Sequence, residues 1–288
     1  MAPAEDFDRP SSAADGQWLR QAQLEQALAQ LPPVLPAWKR LRPRFTLHCY
    51  DRVASTNDVL WQLPSAGSGS IVVARTQTAG RGRRGRQWQS DIGGLYLSVM
   101  VEPDWPAQAA AQLTMASVWG IVAQLQALGI AAQIKWPNDI VICDRKLGGI
   151  LIESRLEQNL IHRAVIGVGI NVTNPIPSTG AAWPLASPDS AMATAAAAVL
   201  KGIWQGLYFR HMAVDSAFLG AYQSVLSHLN RTVYLEGNQL KILGVSPDGR
   251  LKLASTSGGS IDKVIYLRAG EISLGYARKD TSEIADIG

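Results

Sequence analysis

Residues 71–101 read IVVARTQTAGRGRRGRQWQSDIGGLYLSVMV, and the order of elements in this stretch decides the fold. IVVAR at 71–75 is a β-branched apolar run of strand type, and LYLSVMV at 95–101 is another. Between them, Gly80-Arg81-Gly82-Arg83-Arg84-Gly85 satisfies the G-x-G-x-x-G dinucleotide pattern letter for letter. That fingerprint needs a helix directly after the glycines. Here a turn and a strand follow, which excludes NAD or FAD binding of that kind. No Gly-Lys-Ser/Thr ends the loop, so it is not a P-loop either. What remains is four arginines within residues 81–86 on a glycine-rich turn. Arginine offers a charged planar fork to phosphate or carboxylate, and glycine lets backbone approach a ligand closely. Taken alone, the loop fits ligand phosphate, nucleic acid or a solvated basic turn equally.

Strands and helices continue on both sides. FTLHCY at 45–50 is a strand, and Ser55-Thr56-Asn57-Asp58 is an N-cap cluster whose side chains satisfy free backbone N–H groups at the head of a helix. Ala107–Leu128 is a helix ended by Gly129. Short strands follow at 132–136, 140–143, 150–154 and 164–168, with Asp144–Lys146 at a hairpin tip. Helices return at about 189–211 and 215–226. The expected architecture is α+β, a mixed β-sheet covered by helices on one side. After Asn230, short strands at 232–235, 239–245, 251–254 and 263–267 are separated by Gly, Asp, Asn and Ser turns, which reads as a small β-barrel leaning on the larger domain. The expected organisation is residues 1–44 as a tail with one short helix near 17–31, 45–229 as the large domain, 230–277 as the barrel and 278–288 as a tail.

Composition sets bounds. The chain has 288 residues, 47% hydrophobic and 17% charged, with 27 Lys and Arg against 23 Asp and Glu. This is globular material, and a net charge of +4 does not demand nucleic acid. The two cysteines, Cys49 and Cys143, have no metal-like or disulfide spacing, and Cys143 reads as a small buried hydrophobe in the run 140–143. Without a signal peptide or membrane-length apolar run, the expected location is the cytoplasm.

Two more motifs bear on chemistry. Lys135-Trp136-Pro137-Asn138-Asp139 and Asp144-Arg145-Lys146-Leu147-Gly148-Gly149-Ile150 put two lysines on either side of a hairpin. They are either structural turns or a site for phosphates and a magnesium ion. Gly167-Val168-Gly169-Ile170-Asn171 is either close strand packing or backbone laid against a flat ligand.

These segments together resemble the biotin–protein ligase family. The resemblance rests on Ser55-Thr56-Asn57, Gln77 through Gly85, Lys135 through Asp139, Asp144 through Leu151, Gly167 through Asn171, and Gly270-Glu271-Ile272-Ser273 near the end, and it spans about residues 45–276. It implies a class II synthetase-like catalytic domain with a C-terminal SH3-like barrel. The implied activity uses ATP to make biotinyl-5′-AMP, then passes biotin to a lysine of a biotin carboxyl carrier protein, the carrier domain of acetyl-CoA carboxylase. By resemblance, Ser55, Thr56 and Asn57 line a biotin pocket, and Gln77 binds biotin near its carboxylate. Gly80, Arg81, Gly82 and Arg83 close over the adenylate, and Arg84 and Arg86 assist with phosphate charge. Trp88 either walls the ligand or simply packs. Lys146 meets the carboxylate and adenylate oxygens, Lys135 meets the ATP phosphates, and Gly148 supplies backbone beside the ligand. Asn138 and Asp139 are nucleotide and Mg2+ candidates, with Asp139 the metal ligand, and Asn171 meets adenine. No winged helix is expected before the large domain, hence no DNA binding, and the sheet could support a homodimer. The rival readings are a lipoate–protein ligase, which shares the fold and chemistry, and a nucleic-acid-binding module using the arginine loop.

Overall fold

The structure is a computed structural model of the chain that describes residues 18–36, 41, 43–184, 188–235, 238–257, 260–278 and 281–285. The expected N-terminal tail at 1–16 lies outside the described residues. The large domain is built on an eight-stranded mixed sheet. Its strands are β1 (Thr46–Val53), β2 (Ser70–Gln77), β3 (Leu95–Val101), β4 (Trp105–Pro106), β5 (Ala132–Lys135), β6 (Asp139–Ile142), β7 (Arg145–Glu157) and β8 (Leu160–Ile170). The order is β1-β2-β3-β8-β7-β6-β5, with β4 paired to β8; β1 and β2 run parallel and the remaining pairs are antiparallel.

The helices are α1 (Gln21–Gln30), α2 (Thr56–Gln62), α3 (Ala110–Ala127), α4 (Pro188–Met212) and α5 (Asp215–Ser224). The long helices α3 and α4 cover one face of the sheet, and α2 lies on the other, which corrects the one-sided expectation. The sequence of β2 shows why. Ile71 and Val73 join the core beneath the long helices, while Val72 and Ala74 pack with Val59 and Leu60 of α2. A strand buried on both faces loses its polar alternation and reads as a continuous apolar run. Helices α3 and α4 approach closely at glycines: a Cβ on Gly120 would lie 2.0 Å from the Gly202 carbonyl oxygen. The alanine run 195–198 of α4 is fully buried in the same core.

The segment ahead of the large domain is part of this core. Leu19, Leu24, Ala27 and Leu31 are buried. Polar groups on α3 and α4 fix the chain leaving α1, where prolines remove backbone donors. Buried Lys201 donates to Leu31 O at 2.5 Å, Gln124 donates to Pro32 O at 3.0 Å, and Gln205 Oε1 accepts from the backbone N–H groups of Val34 and Leu35, each at 2.7 Å.

The C-terminal part forms a four-stranded antiparallel sheet of β9 (Thr232–Leu235), β10 (Asn238–Val245), β11 (Leu251–Ser257) and β12 (Ser260–Leu267). A further pair joins β13 (Tyr276–Arg278), at the end of the stretch read above as the barrel, to β14 (Thr281–Ala285), in the stretch read above as a tail. Cys143 is exposed, not buried: it and Asp144 form the β6–β7 turn at φ 49° and 57°. A residue at a hairpin tip points to solvent whatever the apolar run before it. No helix among the described residues is long and apolar enough to cross a membrane.

Candidate active site

The start of α2, the arginine loop and the two hairpin lysines converge on one cavity of about 220 Å³. Ser55, Thr56 and Asn57 form its floor, and all three are buried. Ser55 holds the N-cap position without a side-chain cap. The capping acceptor is Gln77 at the end of β2, whose Oε1 takes the Thr56 backbone N–H at 2.9 Å. The expected capping by the Ser-Thr-Asn side chains is therefore corrected: a long side chain from a neighbouring strand reaches the helix end in their place. Below them, buried Ser98 of β3 donates to Asn57 Oδ1 at 2.6 Å and sits 2.7 Å from the Thr56 hydroxyl. With its oxygen so fixed, the Asn57 amide leaves Nδ2 as a buried donor with no partner among the described residues.

Strand β8 forms the adjoining wall with glycines. A Cβ on Gly167 would lie 2.4 Å from Asn57 Oδ1, and one on Gly169 2.5 Å from the Trp88 indole. Trp88 thus packs on the strand and also lines the cavity.

The opposite end is cationic. Lys146 pairs with Asp139 at 2.8 Å, its Nζ 5.1 Å from the centre of the Trp88 ring. Lys135 is 4% exposed, donates to Gly275 O at 2.5 Å and lies 3.0 Å from the centre of the Tyr276 ring. Burial, helped by the charges of Lys146 and Arg86, brings its pKa down to about 7 against the pull of Asp139 and Asp144. Burial also lowers the pKa of Arg83, whose guanidinium is 3.3 Å from Asn138 Oδ1. Lys146, Arg83 and, where it is protonated, Lys135 suit this end of the pocket to a polyanion.

Comparison with known proteins names this arrangement. Residues 49–171 match the Biotin/lipoate A/B protein ligase family. This segment is a biotin/lipoate ligase family domain. It is similar to the bifunctional ligase/repressor BirA of Bacillus subtilis, 42% identical over 127 residues, which is 43% of this chain and 39% of BirA. It also resembles the biotin–[acetyl-CoA-carboxylase] ligase of Paracoccus denitrificans, 38% identical over 144 residues, 48% of this chain and 58% of that protein. The chain thus aligns with less than two thirds of either relative. The biotin protein ligase from Aquifex aeolicus, solved with biotin and ATP, superposes with a TM-score of 0.60 at 28% identity, over 79% of this chain and 97% of that one.

Within the ligase-family domain, the cavity gathers Ser55, Thr56, Asn57, Gln77, Arg81, Gly82, Arg83, Arg84, Arg86, Trp88, Lys135, Asn138, Asp139 and Lys146. Gly80, Gly148 and Asn171 fall outside its lining. Gly80 lies at the loop base, where a Cβ would meet Trp88 O and Ser90 Oγ at 2.6 Å each; at Gly148 a Cβ would meet Gly169 O at 2.5 Å. Both serve close packing. The Asn171 amide is committed to the Lys146 and Ala181 carbonyls at 3.1 and 3.2 Å, so it braces the strand bearing Lys146.

Asp139 does not fit a resident metal. Lys146 occupies its Oδ1 and the Tyr276 hydroxyl donates to its Oδ2. Among the described residues no cluster of three metal-ligating side chains occurs. A cation site of hard oxygens needs free carboxylate oxygens, and here both are engaged.

Sequence reasoning assigned no place at the cavity to Tyr276, to the stretch around Gly270–Ser273 or to the pair Asp58 and Glu153. Tyr276 and residues 269–274 close the cavity from the C-terminal side, with Arg84 donating to Gly270 O at 2.8 Å. Asp58 and Glu153 hold the Arg81 guanidinium. Glu153 was detectable as a carboxylate inside the apolar run of β7; no periodicity marks Tyr276.

Proposed function

We propose that the chain is a biotin–protein ligase: it joins biotin to ATP as biotinyl-5′-AMP with release of pyrophosphate, then transfers the biotinyl group to a lysine of a carrier domain. The observation that carries this reading is the single cavity in which the α2 start, the arginine loop and the paired lysines meet. Its two ends differ in the way the two-part intermediate does.

Asn57 Nδ2 and the polar start of α2 suit the ureido head of biotin, and Trp88 with the glycines of β8 suits its apolar body. Gln77 and Lys146 then face the carboxylate end. In the first step a biotin carboxylate oxygen attacks the α-phosphorus and the bond to pyrophosphate breaks. Lys146, Arg83 and Lys135 offset the charge of the phosphate oxygens, and Arg84 and Arg86 line the same end. In the second step the acceptor amine adds to the acyl carbon, AMP leaves with the electron pair of the broken C–O bond, and the amine proton passes to solvent. Lys146 is placed to stabilise the oxyanion at that carbon. Neither step needs an enzyme nucleophile, so catalysis rests on positioning and charge. Magnesium enters this reading only as part of the nucleotide substrate.

Residues 45–229 are proposed as the catalytic domain and 230–277 as its C-terminal companion. The proposed acceptor is the biotin carboxyl carrier domain of acetyl-CoA carboxylase, and the proposed location the cytoplasm. ATP-dependent attachment of biotin to such a domain tests the reading. Attachment of lipoate in place of biotin would transfer the chemistry to the lipoate branch of the family.

A further inference from the structure

Arg81 belongs to the loop but its charge is directed away from the cavity's cations. Its guanidinium donates through Nη1 to Asp58 Oδ2 at 2.6 Å, and through Nη2 to Asp58 Oδ1 at 2.7 Å and to Glu153 Oε1 at 2.8 Å. Two carboxylates therefore share one arginine, with every contact short and the Asp58 pair bidentate. Neither acid lines the cavity, whereas Arg81 does. The socket is anchored on regular structure. Asp58 stands in the first turn of α2, next to the floor residue Asn57. Glu153 stands on β7, and its second oxygen accepts from the Trp61 indole N–H at 3.1 Å. Trp61 is itself stacked by the Arg155 guanidinium, 4.3 Å from the ring centre. The loop side is lightly held by comparison. Its backbone ties stay within the loop and its own base: the bridge between Arg81 and Gln87, and bonds from the N–H groups of Gly82, Arg86 and Trp88 to Arg86 O, Arg83 O and Gly80 O, while Arg84 takes a left-handed φ of 60°.

We propose that Asp58 and Glu153 are the socket of a latch, and that seating Arg81 in it holds loop 80–86 shut over the acyl-adenylate. The inference rests on the ligase reading above for the identity of what is held. Asp58 and Glu153 are positioning residues: they touch no ligand and act through Arg81. Two negative charges on one positive side chain leave the socket with an excess anionic charge. Arg81 in the latch is consequently not a phosphate ligand, and the loop's charge toward the nucleotide comes from Arg83, Arg84 and Arg86. Half-exposed pairs of this kind are individually weak, but a bidentate pair within a network sums. The latch therefore governs how long the loop stays closed more than whether it closes.

The test uses the full chain and the variants Asp58→Asn, Glu153→Gln, their combination, and Arg81→Gln. Release of biotinyl-5′-AMP formed on the enzyme is followed after dilution. Each single acid variant is expected to release it about threefold faster and the double variant about tenfold faster. Adding Arg81→Gln to the double variant is expected to produce no further acceleration, because all three residues act through one contact. Release from the double variant at the wild-type rate would overturn the latch, and so would full additivity with Arg81→Gln. Amide exchange across residues 79–88 without any ligand supplies an arm independent of the ligase reading. Loss of protection in the double variant supports the latch, and unchanged protection rejects it. A wild-type chain that forms no biotinyl-5′-AMP, yet loses loop protection in the double variant, would overturn the ligase reading and keep the latch as a loop clamp.

Discussion

Lys135 and Lys146 are neighbours in the cavity but differ in solvent, and that difference predicts different behaviour. Lys135 is buried and its pKa stands near 7 instead of 10.5. A lysine whose folded pKa lies below its unfolded value costs stability while it is protonated. Stability therefore rises as pH climbs from about 7 toward 10.5. On the proposed reading function runs the other way, since the charged form would attract the ATP phosphates. ATP affinity should fall by up to about tenfold per pH unit above 7. Titration of ATP binding from pH 6 to pH 9 checks this, with Lys135→Arg expected to flatten the profile; parallel profiles for the two proteins would remove Lys135 from nucleotide capture. Lys146 instead forms the open ion pair with Asp139 and faces the carboxylate end. Lys146→Ala should slow adenylate formation by roughly 10²–10³-fold while the melting temperature stays within a few degrees, as expected for loss of one charge-stabilising donor. Pre-steady-state formation of biotinyl-5′-AMP is the measurement, and a wild-type rate would refute the assigned role.

Among the elements, β8 carries the site through what it lacks. Gly167 leaves room for Asn57, and Gly169 leaves room for Trp88. Gly167→Ala should therefore displace the Asn57 amide and raise the KM for biotin by about tenfold or more, with the KM for ATP little changed, because displacement of a positioning group is costly even when the strand survives. Equal rises in both constants would instead mean that β8 itself had shifted. The same strand shows what the sequence could and could not convey. LYLSVMV and IVVAR declare themselves as strands because β-branched and aromatic runs leave few alternatives. The motif segments were each legible, and their order carried the resemblance. The faces were not: IVVA is apolar on both sides, so nothing in it tells that α2 covers one of them. Nor could spacing reveal that Gln77, rather than Ser55, caps α2, or that the Asn171 amide is spent on backbone carbonyls. Asp58 reads as one more polar residue in a capping cluster until Arg81 is seen against it. Those outcomes depend on which side chain reaches a given backbone or side-chain partner, and the folded sheet decides that between segments well separated in sequence.

At the scale of the whole molecule, the C-terminal sheet shares one apolar core with the large domain. Leu240, Ile242, Val245, Leu251 and Leu253 pack in one apolar cluster with Met115, Trp136 and Tyr222. Polar ties cross the same boundary: Trp136 Nε1 donates to Gly249 O at 2.9 Å, Gln112 Nε2 to Pro247 O at 3.1 Å, and the Val245 N–H to Gln223 Oε1 at 3.0 Å. The site is assembled across that boundary as well, since Lys135 donates to Gly275 O and Tyr276 to Asp139. A small sheet with so much of its apolar face committed to a neighbour has little stability of its own. Thermal unfolding should accordingly be one cooperative transition for both parts. Trp136→Phe, which removes the indole donor to Gly249, should lower that single midpoint by roughly 2–4 °C or somewhat more, from about 1 kcal/mol for the hydrogen bond plus the lost ring volume. Calorimetry distinguishes this from two loosely joined domains. In the latter case the wild-type protein would show two resolved peaks, and the substitution would move one of them and leave the other in place.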